Sequence, residues 1–187
     1  MRIVAGKFRG KNLLSPSDAS IRPTSDRARE AIFSIISSRL GPSLDGLRVL
    51  DLFAGTGALG LEALSRGAAS VCFVDTGSEA RGLIRDHIEA FGAGGVAKLL
   101  RRDATNLGPA GTLGPFNLVF LDPPYGRGLG EKALASLATG KWLASEAVIV
   151  FEESVDAEIK LPPGFAVELR REYGAAAVRL LSYSPEP

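Results

Sequence analysis

The residues best suited to chemistry are Asp122-Pro123-Pro124-Tyr125, which directly follow the apolar run Phe116-Asn117-Leu118-Val119-Phe120-Leu121. Consecutive prolines fix their backbone φ, so acceptors placed around them stay where they are. An exocyclic amine on a nucleic-acid base is a poor nucleophile because its lone pair is delocalised into the ring. A catalyst of transfer to that amine must draw both N–H bonds away from the ring plane. The Asp122 carboxylate can accept one N–H and the Pro123 carbonyl the other. Tyr125 offers a flat face on which a flipped-out base can stack. The plainer reading is a turn, since Asp-Pro initiates turns and tyrosine often packs. Gly126-Arg127-Gly128 follows, a stretch able to close over a base.

A second constellation is Asp51-Leu52-Phe53-Ala54-Gly55-Thr56-Gly57-Ala58-Leu59-Gly60, which contains G-x-G-x-x-G between a predicted strand and a predicted helix. An acid, Asp75, follows 20 residues after Gly55 at the end of the next predicted strand. Glycines let a backbone turn tightly and approach a ligand, and the acid can accept from ribose hydroxyls. That pattern fits a nicotinamide dinucleotide or S-adenosylmethionine. Asp51 separates the two. A carboxylate aimed at this loop repels a pyrophosphate by an energy on the order of kcal/mol at a few ångströms. The same carboxylate attracts the ammonium and sulfonium of S-adenosylmethionine. Asp103, after the third predicted strand, is placed to take the adenine amino group, with the Ala104 backbone at the ring edge. Taken singly, each of these acids also reads as a local cap.

Elements to hold these groups are legible in the hydropathy pattern. Residues 47–52, 71–74, 96–100, 116–121 and 147–152 read as strands, alternating with helical patterns at 59–66, 78–91 and 131–138. Residues 165–173 and 176–183 flank Gly174 as a closing hairpin. Strand and helix in alternation imply an α/β, doubly wound, mainly parallel sheet. Before it, residues 3–6 and 11–14 read as a small hairpin, and Thr24 or Ser25 caps a helix that ends at Gly41-Pro42. The expected division is an extension over 1–40 and a catalytic domain over 41–187.

Composition is that of a soluble globular chain, with 187 residues, 45% hydrophobic and 23% charged. Cys72 is the single cysteine, expected as a small buried hydrophobe, so no internal disulfide forms. The single histidine, His87, lies among Arg85, Asp86 and Glu89 and reads as part of a solvated helix face. No metal site is expected. The start lacks a signal-like apolar stretch, and no run suffices to span a bilayer, so a cytoplasmic protein without membrane contact is expected. Net charge is +1, yet residues 1–40 hold eight basic and three acidic side chains. A basic segment on a slightly acidic body points to a phosphate-bearing partner; the alternative is a basic tail without a specific role.

These residues resemble a known family. The loop at 51–57 and the tetrad at 122–125 are similar to those of amino-group methyltransferases. Arg2-Ile3-Val4-Ala5-Gly6-Lys7-Phe8-Arg9-Gly10 and Ile21-Arg22-Pro23-Thr24-Ser25-Asp26-Arg27-Ala28-Arg29-Glu30 narrow the likeness to bacterial 16S ribosomal RNA guanine-N2 methyltransferases of the RsmD type. The resemblance implies a class I, Rossmann-like sheet of seven strands with the last antiparallel, and S-adenosylmethionine as donor. It also implies a guanine in 16S rRNA as acceptor, within a partly assembled small subunit, and a monomeric enzyme. It places Arg22 and Thr24 beside the donor and target base; from the basic segment itself, Lys7, Arg9 and Arg27 are expected, with them, to bind the substrate RNA. Other amino methyltransferases (DNA adenine-N6 or cytosine-N4, or a protein amide nitrogen), an NAD-dependent oxidoreductase and a non-catalytic RNA-binding module are the competing readings.

Overall fold

The computed structural model describes residues 1–186. Its elements run α1 (Asp26–Leu40), β1 (Arg48–Leu52), α2 (Ala58–Ser65), β2 (Ser70–Val74), α3 (Ser78–Ala90), β3 (Ala97–Leu100), β4 (Phe116–Leu121), α4 (Leu129–Thr139), β5 (Leu143–Ser154), β6 (Phe165–Tyr173) and β7 (Ala176–Tyr183). The seven strands lie in the order β3-β2-β1-β4-β5-β7-β6. All neighbouring pairs from β3 to β5 are parallel, and β7 runs antiparallel to both β5 and β6. This is a doubly wound, Rossmann-like sheet of seven strands with the last one antiparallel.

Side chains alternate across the sheet, as the period of two requires. Val49, Val71, Phe73, Leu118 and Phe120 meet α1, α2 and α3 on one face through Ile32, Ile36, Leu61 and Ile84. Leu50, Leu52, Val74, Val119 and Leu121 meet Leu134 and Leu137 of α4 and Trp142 on the other. Both faces are covered, which is why β4 reads as an almost unbroken apolar run. Strand order, not chain direction, reverses between the parallel neighbours β1 and β4, and an open sheet of this kind leaves a crevice at their carboxyl ends.

Register carries the chemistry to that crevice. Leu52 pairs with both Val74 and Leu121, and Leu121 pairs with Phe151. The next residues, Phe53, Asp75, Asp122 and Glu152, therefore emerge at one level along the same edge.

The expected N-terminal hairpin is present in short form: Arg2 bridges Asn12 antiparallel, with Ile3 N–H donating to Lys11 O and Leu13 N–H to Met1 O, both at 2.9 Å. Residues 4–7 are tied to α2: Val4 and Ala5 N–H both donate to Glu62 at 2.9 Å, and Lys7 N–H donates to Ser65 O at 2.8 Å. Ser25 is the cap of α1, its hydroxyl accepting from Ala28 N–H. Helix α1 shares one hydrophobic cluster with β1 and α2, so the extension is packed into the catalytic body. The reading of His87 as solvated is overturned, because the residue is 1% exposed. Ala80, Ile84, His87 and Phe91 form the inward stripe of α3, and the neighbouring charges lie on its outer side. His87 Nε2 accepts from Leu14 N–H at 2.8 Å, and Nδ1 lies 2.9 Å from Thr56 O. Cys72 is buried as expected, with its thiol pushed up to about 11 by burial.

Candidate active site

The loop after β1 is built by close backbone approach. Phe53 adopts φ 53°, a left-handed conformation that costs a residue with a Cβ on the order of 1–3 kcal/mol. Ala54 N–H donates to Val74 O, and Gly57, with φ 77°, caps α2. At Gly60 a Cβ would sit 2.5 Å from the Phe73 ring and 3.0 Å from Asp51 Oδ2, so only glycine lets α2 lie this close to β1. The Asp51 carboxylate is 2% exposed and accepts from Gly60 N–H at 3.0 Å. No salt bridge reaches it among the described residues. Burial holds its carboxyl well above the usual range, reinforced by Asp122 and Asp75. Such a group is suited to receiving a cation, which favours its charged form.

A cavity of about 860 Å³ opens here, bounded by the β1 loop, the loop after β2 and the 122–125 tetrad. Asp51, Asp75, Asp103 and Asp122 all line it, as do Phe53, Ala54, Gly55, Thr56 and all of Asp122-Pro123-Pro124-Tyr125. Asp75 does two local jobs as well. Its Oδ2 accepts from Gly55 N–H at 2.9 Å, and its Oδ1 from Gly77 N–H at 2.7 Å. The cap and the cavity wall are thus one side chain, and each oxygen retains a further lone pair. Asp103 Oδ1 accepts from the Thr105 amide and hydroxyl.

Two further acids were silent in the sequence. Glu152 extends from β5 beside Asp122, and Glu153, 1% exposed, accepts from Gly126 N–H at 3.0 Å and ties down the Gly126-Arg127-Gly128 stretch. Arg22 Nη2 lies 3.0 Å from Glu152 Oε1 and 3.4 Å from Asp122 Oδ1. Its guanidinium carbon is 4.0 Å from the centre of the Tyr125 ring. The Tyr125 hydroxyl donates to Glu152 Oε1. Arg22 therefore occupies the flat face expected to receive a base. Burial pushes the Asp122 carboxyl up to about 8, with Glu152 adding to the rise and Arg22 opposing it. Burial and the bond to Glu152 raise Tyr125 as well. On the outer side of this group lies a second hollow of about 290 Å³, reaching Tyr173 and Ala176 at the β6–β7 turn.

The cavity thus joins a buried unpaired carboxylate at a glycine loop to a carboxylate–aromatic cluster. The family described as Conserved hypothetical protein 95 matches residues 1–182. The Ribosomal RNA small subunit methyltransferase D of Escherichia coli is 35% identical, covering 96% of this chain and 88% of its own. The chain belongs to the ribosomal RNA small subunit methyltransferase D family. The family protein of that name from Haemophilus influenzae is 30% identical, covering 96% of this chain and 92% of its own. The solved structure of the Escherichia coli protein yhhF superposes with a TM-score of 0.84 at 32% identity, covering 100% and 99% of the two chains. The chain is a methyltransferase.

Most of the residues read from the sequence as a site line this one cavity, and some lie elsewhere. Thr24 joins Arg22 in the cavity wall, whereas Lys7, Arg9 and Arg27 are exposed outside it. Lys7 Nζ stands over the Phe8 ring, and Arg9 lines a separate hollow with Arg2 and Asp26. Gly57 and Ala104 lie behind the lining; the Ala104 side chain packs into the core with Leu107, and Thr105 takes its place at the surface of the cavity. The loop at 17–21, unremarkable in sequence, also forms a wall. Glu79 accepts from the Ser17 amide at 2.7 Å and its hydroxyl at 2.6 Å, which holds Asp18, Ser20 and Ile21 against the cavity. No group of three or more His, Cys, Asp or Glu among the described residues is placed to hold a metal. No described helix is long and apolar enough to cross a membrane.

Proposed function

We propose that the enzyme methylates the exocyclic N2 of a guanine in small-subunit ribosomal RNA, with S-adenosylmethionine as donor. The observation that carries this reading is the single cavity that contains both Asp51 and Asp122 with Tyr125. The relatives' names supply the class of RNA.

S-adenosylmethionine, when bound, supplies an electrophilic methyl carbon with a neutral thioether as leaving group. Asp51 would face its cationic methionine end, and Asp75 the ribose hydroxyls. Asp103 would face the adenine amino group. At the other end Tyr125 stacks the base, while Asp122 and the Pro123 carbonyl accept the two amino N–H bonds and turn the lone pair toward the donor. Most of the acceleration comes from this positioning, and the acceptors stabilise positive charge growing on nitrogen. An Asp122 carboxyl near 8 is also basic enough to hold the proton that the methylated amine gives up. Thr24 and Arg22 close the wall around the base. Lys7, Arg9 and Arg27 are free to meet phosphates, which makes residues 1–40 the RNA-contacting part and 41–187 the methyltransferase body. A partly assembled small subunit is the proposed partner.

The test is transfer of a labelled methyl group to undermethylated small subunits, naked rRNA and DNA, followed by nucleoside analysis. N2-methylguanosine from ribosomal RNA is expected. Label in N6-methyladenine or N4-methylcytosine would overturn the assignment.

A further inference from the structure

The Arg22 guanidinium is held in an unusual way. It stacks on Tyr125 at 4.0 Å and directs one nitrogen at two carboxylates, Asp122 and Glu152. Its side chain is 54% exposed, so it has room to swing out. The N1–C2–N2 edge of guanine is itself a guanidine closed into a ring: planar, stackable and carrying N–H donors on adjacent nitrogens. Adenine and cytosine present a bare acceptor nitrogen beside their amine instead. Turned toward Glu152, that lone pair would face a carboxylate, which only accepts.

Resting on the guanine reading above, we propose that Glu152 selects the base: its carboxylate accepts guanine N1–H while Asp122 accepts from N2, and the Arg22 guanidinium holds their place until the base enters. The spacing supports this. Both carboxylate oxygens touch one nitrogen, at 3.4 and 3.0 Å, so they lie within about 6 Å of each other. Acceptors placed at ordinary hydrogen-bond length on the N–H bonds of N1 and N2 lie about 2.5 to 6 Å apart, depending on which amino hydrogen is used, and this limit admits that range. Glu152 and Arg22 both line the outer hollow, which gives the incoming base a way in and the displaced side chain a way out.

The test compares small subunits reconstituted with rRNA whose acceptor position carries guanine or 2,6-diaminopurine. The analogue keeps the 2-amino group and exchanges N1–H for an acceptor. Wild type should favour guanine in kcat/KM by about tenfold to a hundredfold, the discrimination expected of a paired carboxylate. Glu152→Gln should bring the ratio close to one, because a carboxamide can donate to the analogue. Tyr125→Phe keeps the ring and removes the hydroxyl bonded to Glu152, and the guanine preference should survive it. Three results overturn the proposal: a wild type indifferent to the analogue, an unchanged ratio in Glu152→Gln with both rates lowered, or an equal loss of preference in Tyr125→Phe. The last two would make Glu152 a support for Tyr125. The wild-type comparison stands alone if Glu152→Gln fails to fold. Absence of any label on guanine in wild type would instead overturn the guanine reading, and this proposal with it.

Discussion

Replacing Glu152 by glutamine should lower the pKa of Asp122, and the size of the shift follows from the geometry. The Asp122 carboxyl stands at about 8 because burial disfavours its charge and Glu152 repels it, against the pull of Arg22. With the two carboxylates within about 6 Å of each other, Coulomb repulsion in a medium of effective dielectric about 20 amounts to roughly 2–3 kcal/mol. The Asp122 side chain is 18% exposed, so solvent weakens this, and a downward shift of about one to two pKa units is the expectation. At pH 7 the ionised fraction should rise from about a tenth to between a half and nine-tenths. Arg22→Met removes the opposing charge and should move the midpoint up. The assay is a carbon-13 titration of labelled aspartate carboxyls in the ligand-free enzyme, with the Asp122 signal identified by its loss in Asp122→Asn. A wild-type midpoint near 4, or one that Glu152→Gln leaves in place, would refute this account of the cluster.

Other consequences can be measured directly. Asp51→Asn should weaken S-adenosylmethionine binding by about tenfold to a hundredfold, the worth of a charge-assisted contact; burial shifts the Asp51 carboxyl upward and a bound cation shifts it back down, so donor binding to wild type should release more protons as pH is lowered, detected by calorimetry in buffers of different ionisation enthalpy and absent in the variant. Lys7→Gln with Arg9→Gln should reduce the slope of log affinity for RNA against log salt by about two, one per phosphate contact, as read by filter binding. Glu62→Ala removes the acceptor of the Val4 and Ala5 amides and one of two carboxylates at the buried Arg29, which keeps Asp26 at 2.8 Å, so urea unfolding should show a loss of about 2–4 kcal/mol, mostly from the orphaned amides. His87 has its pKa lowered by burial, so the unfolded chain binds its proton first. Stability is therefore intact above pH 6.5 and falls as pH drops below it, a slope that His87→Gln should flatten in melts at pH 5 and 7.

Legibility differed by the kind of signal each residue leaves. The doubly wound sheet was readable because buried strands are apolar on both faces, and the closing hairpin because Gly174 interrupts two alternating runs. Asp75 and Asp122 were readable because each stands immediately after a strand at the edge where an open sheet binds ligands, and Asp51 because it is a lone acid near the end of the apolar β1, just ahead of the glycine loop. Glu152 was not. It lies within β5, which runs on to Ser154, two residues past the expected end, so nothing local separates it from a strand residue. Its signal was the register with Leu121, which exists only once the sheet is assembled. His87 was misread because its charged sequence neighbours were weighed ahead of the 80, 84, 87, 91 spacing. Glu62 gave no hint of its partners because they lie 57 and 58 residues away in sequence.

The extension is joined to the active site by more than chain continuity. Arg22 and Thr24 form part of the cavity wall, and they sit between two anchors. Upstream, His87 holds Leu14 and Glu79 holds Ser17. Downstream, Arg29, fully buried against Glu62, donates to Thr24 O at 2.7 Å and to Arg2 O. The same Glu62 receives the Val4 and Ala5 amides. The exposed cations at Lys7 and Arg9 are thus fastened, through one buried carboxylate, to the segment that carries Arg22 over Tyr125. A force on the turn that carries Lys7 and Arg9 has a short, packed route to Arg22 over Tyr125. A separate, flexible RNA-binding arm would give affinity without influence on the base pocket. This one is built into the pocket wall, so removing residues 1–13 should disturb the titration of Asp122 as well as RNA affinity.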